Sequence, residues 1–360
     1  MDGRVLNATA SSDTVVEITN VSKTFRQRQR SERLGDVLRN LLRPTFREVH
    51  ALSAINLCIA RGEIVAYAGP NGAGKSTTVK LCSGMLAPDT GTVRVLGMDP
   101  LRERVRYVNH IGGVFGQRTE LWNDHPVAAS FEWKRVVWDI PQERYTRMVG
   151  QVRELLGLDA FFHSFARELS LGQRMRADLG LALLHEPDIL FLDEPTLGLD
   201  VLAKRNMLAF LKDLNRERKI TIMVTSHDMA ELEQLAGRIV MVDKGRIAYD
   251  GDFNRLRREF ADRRHLALET TSEVAPVLEG TEWVRSEAGR HEYTFHAAQT
   301  PIALLLEQAS VQTEVLDVET HRAPIDDVIA DIYEKWQGAS RPAESAIAPA
   351  TEEEMRKISL

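Results

Sequence analysis

GPNGAGKST, residues 69–77, decides how the rest of the chain is read. It fits the pattern G-x-x-x-x-G-K-[ST], with Gly69, Gly74, Lys75 and Ser76 in the fixed places. The apolar run IVAYA, residues 64–68, precedes it and reads as a buried strand. Residues 77–85 follow and read as a helix. Strand, glycine-rich loop and helix in that order make a phosphate cradle. The glycines let backbone N–H groups close on phosphate oxygens, and the helix N-terminus adds partial positive charge. Gly69, Pro70, Asn71, Gly72, Ala73, Gly74, Lys75, Ser76 and Thr77 line that cradle. Lys75 reaches the β- and γ-phosphates as a point charge, and Ser76 offers its hydroxyl to Mg²⁺. A plain turn needs no Lys–Ser pair.

Outward from the loop, short apolar runs alternate with helical patterns. Strands are expected at 14–18, 51–59, 92–96, 111–115, 189–192 and 220–225, and helices at 171–184, 202–215 and 229–235. Residues 239–242 and 247–249 flank Asp243-Lys244-Gly245, a hairpin signal. Residues 118–184 are mostly helical in texture. Such alternation implies an α/β fold with a largely parallel sheet, whose ligands gather at the carboxyl ends of the strands. The phosphate loop, Gln117, Asp193-Glu194 and Ser226-His227 each follow an apolar run directly, so one sheet edge is expected to carry them all.

ILFLDEP, residues 189–195, places two carboxylates at a strand end. Asp193 suits the Mg²⁺ shell, through water. Glu194 points elsewhere and suits a general base for an attacking water. In LSLGQ, residues 169–173, Ser170 caps the following helix and faces its hydroxyl and the first free N–H groups toward an anion.

The chain has 360 residues, enough for two or three domains, and a net charge of −6, which argues against a general nucleic-acid binder. It has no apolar run long enough to span a membrane and no signal-peptide pattern at its start. Cys58 and Cys82 sit in apolar runs and read as reduced core residues. Residues 1–13 read as a flexible tail, 14–251 as the nucleotide-binding domain, 252–337 as an accessory α/β domain and 338–360 as a mostly disordered tail. Within the accessory domain, strands are expected at 265–269 and 311–318, a hairpin at 282–285 with 292–296, and helices at 273–278, 302–309 and 325–336. Two βαβ-like halves suggest a ferredoxin-like sandwich. Residues 26–48 form an arginine-rich insertion in which Leu34, Val37, Leu38, Leu41 and Leu42 recur at helical spacing. That amphipathic face suits a lipid surface or a membrane partner, and equally the domain's own sheet.

Together these motifs resemble the nucleotide-binding subunits of ABC (ATP-binding cassette) transporters over about residues 15–251. The resemblance implies a P-loop NTPase cassette with a RecA-like core, an antiparallel β subdomain and a helical signature subdomain. It implies Mg²⁺-dependent ATP hydrolysis by a head-to-tail dimer, homomeric or heteromeric, with Lys75, Glu194 and His227 catalytic. Phe25 matches the aromatic that stacks on adenine. Gln117 matches the glutamine that senses Mg²⁺ and contacts the membrane partner. Asp200, in Gly198-Leu199-Asp200, matches the loop crossing the dimer interface, and His227 the switch histidine. Ser170, Gly172 and Gln173 match the signature that meets ATP from the second subunit. Leu171 stands where glycine is commonest, and Phe25 where tyrosine is usual.

The insertion, LSLGQRMR, ELW at 120–122 and the C-terminal domain resemble a bacterial branch partnered with separate ABC-2-type permeases, including drug, viologen and sodium exporters. That places the protein in the cytoplasm, on the inner membrane face through a permease, with no nucleic-acid partner. The alternative is a soluble ABC ATPase acting as a mechanical switch on a macromolecule. One uninterrupted cassette without a heptad run disfavours it.

Overall fold

The computed structural model describes residues 13–28, 46–115, 119–260, 263–297 and 299–322, and beyond them 325, 328, 329, 332 and 333. Gln117, most of the insertion (29–45) and the expected tails at 1–12 and 338–360 lie outside the described residues. The chain divides into two compact units, residues 1–255 and 256–360.

In chain order the first unit runs β1 (Thr14–Arg28), β2 (Phe46–Ala60), β3 (Ile64–Ala68), α1 (Lys75–Cys82), β4 (Thr90–Val95), α2 (Arg104–Tyr107) and β5 (Ile111–Phe115). There follow α3 (Val127–Val137), α4 (Gln142–Leu156), α5 (Leu171–Leu183), β6 (Ile189–Asp193), α6 (Val201–Arg218), β7 (Thr221–Thr225), α7 (Met229–Leu235), β8 (Arg238–Asp243) and β9 (Arg246–Asp252). Six strands form one sheet in the order β5-β6-β7-β3-β8-β9. Its neighbours are parallel except β8 and β9, joined by the expected tight hairpin. The central strands are nearly continuous apolar runs because both faces are covered.

Parallel pairing brings the strand ends to one edge. Phe115, Asp193 and Thr225 lie side by side in register at the ends of β5, β6 and β7. The helical segment, α3 to α5, is inserted between β5 and β6. A second sheet, β2-β1-β4, is antiparallel, and one apolar core joins both sheets, from Ile18 and Leu52 to Tyr67, Phe191 and Val240.

Two sequence expectations change here. The first strand does not stop at residue 18 but runs to Arg28, and the second starts at Phe46. Arg26–Arg28 and Phe46–Glu48 therefore belong to paired strands rather than to the insertion, with Arg28 opposite Phe46. Register shifts between Ile18 and Thr24 let the long hairpin bend and continue, which a simple alternation test misses.

The second unit contains β10 (Arg263–Thr270), β11 (Thr281–Glu287), β12 (Arg290–His296), α9 (Ile302–Gln312) and β13 (Val315–Arg322); α8 (Phe253–Phe260) contains the boundary. The sheet order is β11-β12-β10-β13, antiparallel throughout; β12, α9 and β13 make one split βαβ unit, whereas the connection from β10 to β11 carries no helix, so one of the two expected halves is present. Leu266, Leu268, Tyr293, Phe295 and Leu305 form its core. The helix expected at 273–278 is absent. Pro276 removes a donor there, and the local groups bond elsewhere: the Ser272 and Val274 N–H groups to side-chain hydroxyls, and Val277 N–H to the Gln312 side chain at 2.9 Å. The five described residues from 325 onward are helical, as expected.

Candidate functional site

The phosphate loop leaves β3 and enters α1 through Gly74, whose φ of 112° is open to glycine alone. A Cβ there would lie 2.5 Å from the Ala51 carbonyl oxygen. The loop is held from the other side as well. Gly245 N–H, in the β8–β9 turn, donates to Ala73 O at 3.0 Å, and Ser53 N–H donates to Gly245 O at 2.8 Å. The sequence offered that turn as a hairpin signal, with nothing to show that it braces the loop. The cradle is thus clamped between β2 and a distant turn, with the α1 N-terminus behind it.

Lys75 is 8% exposed. Its ammonium donates to Gly69 O at 2.7 Å and Pro70 O at 3.3 Å. Burial pulls its pKa below the ordinary amine value, while Glu194 and Asp193 act the other way. The structure therefore gathers Lys75, Asp193 and Glu194, as the strand-end argument expects.

Thr225 holds the Asp193 carboxylate and the Glu194 backbone. Its buried hydroxyl donates to Asp193 Oδ1 at 2.6 Å and lies 3.1 Å from Glu194 N, which also donates to Thr225 O. Sequence reasoning passed over this residue; its place directly before Ser226-His227, at the end of the neighbouring strand, was the available signal. Glu194 has a positive φ of 56°, so the chain turns sharply after Asp193 and swings the second carboxylate away from the first. Its Oε2 lies 2.8 Å from His227 Nδ1. Half-buried Glu194 and exposed His227 thus form a pair at the sheet edge.

Ser170 caps α5 as expected, in a closed capping box. Gln173 N–H donates to Ser170 Oγ at 3.2 Å, and Ser170 N–H donates to Gln173 Oε1 at 2.9 Å. Leu171 is 45% exposed and lies over Gly198: a Cβ on Gly198 would come 2.3 Å from Leu171 Cδ2. Leu171 thus rests on a glycine instead of crowding the cap. Asp200 caps α6, accepting from Ala203 N at 2.8 Å. Phe25 lies on β1, with Lys23 Nζ 5.8 Å from its ring centre and held there by Asp89.

Buttressing extends into the helical segment. Asp178 of α5 accepts from Thr119 Oγ1 at 2.9 Å and Glu120 N at 3.0 Å. Burial above all pushes its carboxyl pKa up, to about 6. Lys134 pairs with Glu120 at 2.5 Å, and Trp122 lies 5.1 Å from Trp133, ring centre to ring centre.

A glycine cradle that a Cβ would fill, a helix N-terminus, a buried ammonium beside two carboxylates and a carboxylate–imidazole pair fit a nucleoside triphosphate with Mg²⁺. Fold and site together define a P-loop ATPase with an inserted helical segment.

A family model described as ABC transporter matches residues 52–197. The chain is 31% identical over 269 residues to the uncharacterized ABC transporter ATP-binding protein YhcH of Bacillus subtilis, covering 74% of this chain and 79% of that one. It is 35% identical over 217 residues to the probable multidrug ABC transporter ATP-binding protein YbhF of Escherichia coli, covering 60% of this chain but 37% of that one. Among solved structures it resembles the dimeric post-hydrolysis state of the ATP-binding cassette MJ0796 bound to ADP and Pi. The TM-score is 0.55 at 25% identity, over 66% of this chain and 98% of that one. The chain belongs to the ATP-binding proteins of ABC transporters and is an ATP-hydrolysing cassette. Among the described residues no helix is long and apolar enough to cross a membrane.

Proposed function

We propose that the protein is the ATPase subunit of an ABC exporter driving a separate ABC-2-type permease. The 2.8 Å pair of Glu194 and His227, beside the phosphate loop's lysine, is the observation that carries the catalytic reading. Likeness to a probable multidrug cassette supports the export reading.

In this reading Glu194 orients a water and takes its proton as that water attacks the γ-phosphate. His227 holds the Glu194 carboxylate and faces the phosphate. Lys75 and the N–H groups of residues 69–77 offset the charge on the phosphate oxygens. Ser76, Gln117 and, through water, Asp193 would hold Mg²⁺, which would offset phosphate charge. Phe25 stacks on the adenine. Ser170, Gly172, Gln173 and Asp200 meet the ATP of a second subunit, so binding closes a dimer and hydrolysis reopens it. The surface around 117–122, with Trp122 and Trp133, passes that motion to the permease. The protein thereby sits on the cytoplasmic face of the membrane.

Affinity purification of tagged protein from detergent-solubilised native membranes tests this. One or two polytopic membrane proteins in stoichiometric amount are expected. Ribosomal or DNA-associated partners, or none, would overturn the exporter reading and leave a soluble ATPase.

A further inference from the structure

The scheme above leaves the buried carboxylate of Glu231 without a part. Glu231 lies in the first turn of α7 and is 7% exposed. Three groups face it from three segments. Thr196 Oγ1 donates to Oε2 at 2.5 Å, and Ser226 Oγ lies 3.4 Å from the same oxygen. Lys204 Nζ of α6 is 2.6 Å from Oε1.

Thr196 stands two residues after Glu194, and Ser226 one residue before His227. Both are buried. Ser226 Oγ also accepts from Asp228 N at 3.0 Å, and Asp228 Oδ1 accepts from Glu231 N at 3.1 Å, so His227 is bracketed by bonds that end on Glu231 or its own turn. A buried carboxylate is costly unless it is paired and hydrogen-bonded. Here Lys204 supplies the charge, held in turn by Asp228 at 3.5 Å. Its contact with Glu231 raises the Lys204 pKa.

We propose that Glu231 is a positioning residue: by receiving Thr196 and Ser226 on one oxygen it fixes the Glu194 segment against the His227 segment and so sets their 2.8 Å contact. This rests on the reading of Glu194 as base and His227 as its partner. The exposed His227 ring has little packing of its own, and the deeper Glu231 clamp supplies the rigidity that the surface pair lacks. Lys204 ties the same carboxylate to α6, whose cap is Asp200.

Steady-state ATPase kinetics and nucleotide binding on the full chain test the proposal, with Glu194→Gln as reference. Glu231→Ala and the near-isosteric Thr196→Val should each lower kcat on the order of 10- to 100-fold, with ATP affinity within about twofold. Glu231→Gln, whose amide oxygen can still accept from Thr196, should recover part of the loss. The double variant Glu231→Ala/Thr196→Val should lose no more than Glu231→Ala alone, because both remove one contact. Wild-type kcat in folded Thr196→Val and Glu231→Ala, while Glu194→Gln is inactive, overturns the Glu231 proposal and leaves the base assignment standing. Equal loss of kcat and affinity overturns it too, as a merely structural effect. Full activity in Glu194→Gln removes the base reading itself.

Discussion

The imidazole Nδ1 of His227 lies 2.8 Å from Oε2 of Glu194, although 33 residues separate them in the chain. Two parallel strands, β6 and β7, end level and deliver one partner each. If this pair handles the attacking water, Glu194→Gln should bind ATP normally and hydrolyse it at about 1% of the wild-type rate or less. His227→Ala should also lose most turnover with little change in ATP affinity. Single-turnover hydrolysis and equilibrium nucleotide binding measure the two effects separately, and rapid turnover by Glu194→Gln would move the base elsewhere.

Lys75 is poised differently. Its ammonium is buried against loop carbonyls, and burial already lowers its pKa. A charge-assisted contact to phosphate stabilises by roughly 1.5–3 kcal/mol. Lys75→Ala should therefore weaken ATP binding by about one to two orders of magnitude, read by titration with a fluorescent nucleotide. Unchanged affinity would refute the phosphate assignment.

Thr225 ties the Asp193 carboxylate and the Glu194 backbone N–H to β7 through one hydroxyl. Thr225→Val keeps the shape and removes both contacts. A loss of about 1–3 kcal/mol in denaturant unfolding is expected, together with a higher Mg²⁺ requirement for ATPase, since Asp193 loses the bond that aims it. Identical Mg²⁺ titrations in the two proteins would exclude that orienting role.

Asp178 gives stability a pH dependence. Its carboxyl pKa is raised to about 6, chiefly by burial and also by Glu120, against the hydrogen bonds from Thr119 and Glu120 N–H and the charge of Arg174. The folded state then holds this proton more tightly than the unfolded chain, so stability from this group falls as pH rises from about 4 to about 6. Both hydrogen bonds reach Oδ1, which an amide oxygen replaces. Asp178→Asn should match the wild type near pH 4 and exceed it above pH 6, by at most about 3 kcal/mol. Urea unfolding of both proteins at pH 4.5, 6 and 7.5 reads the difference; parallel curves would contradict it.

Much of the site was legible because its residues follow strands directly. A motif at the end of a buried apolar run is located by the run, so Lys75, Asp193, Glu194 and His227 could be placed on one edge before any contact was known. The supports were harder to see, because they act across sequence distance. Nothing local marks Gly245 as the brace of Ala73, or Gly198 as the seat of Leu171. The expected helix at 273–278 failed for a related reason. Its apolar spacing was visible, yet Pro276 and hydrogen bonds to Gln312, 35 residues from Val277, settle that backbone. The bent β1–β2 hairpin outruns its sequence alternation because its register shifts break the pattern.

That hairpin also bears on the ring at Phe25. Its strands stay paired out to Arg28 opposite Phe46, three pairs beyond Phe25, which stands opposite Val49. The ladder therefore continues past Phe25 instead of ending at it, and the backbone that carries the ring is held by strand pairing on both sides of it along the chain.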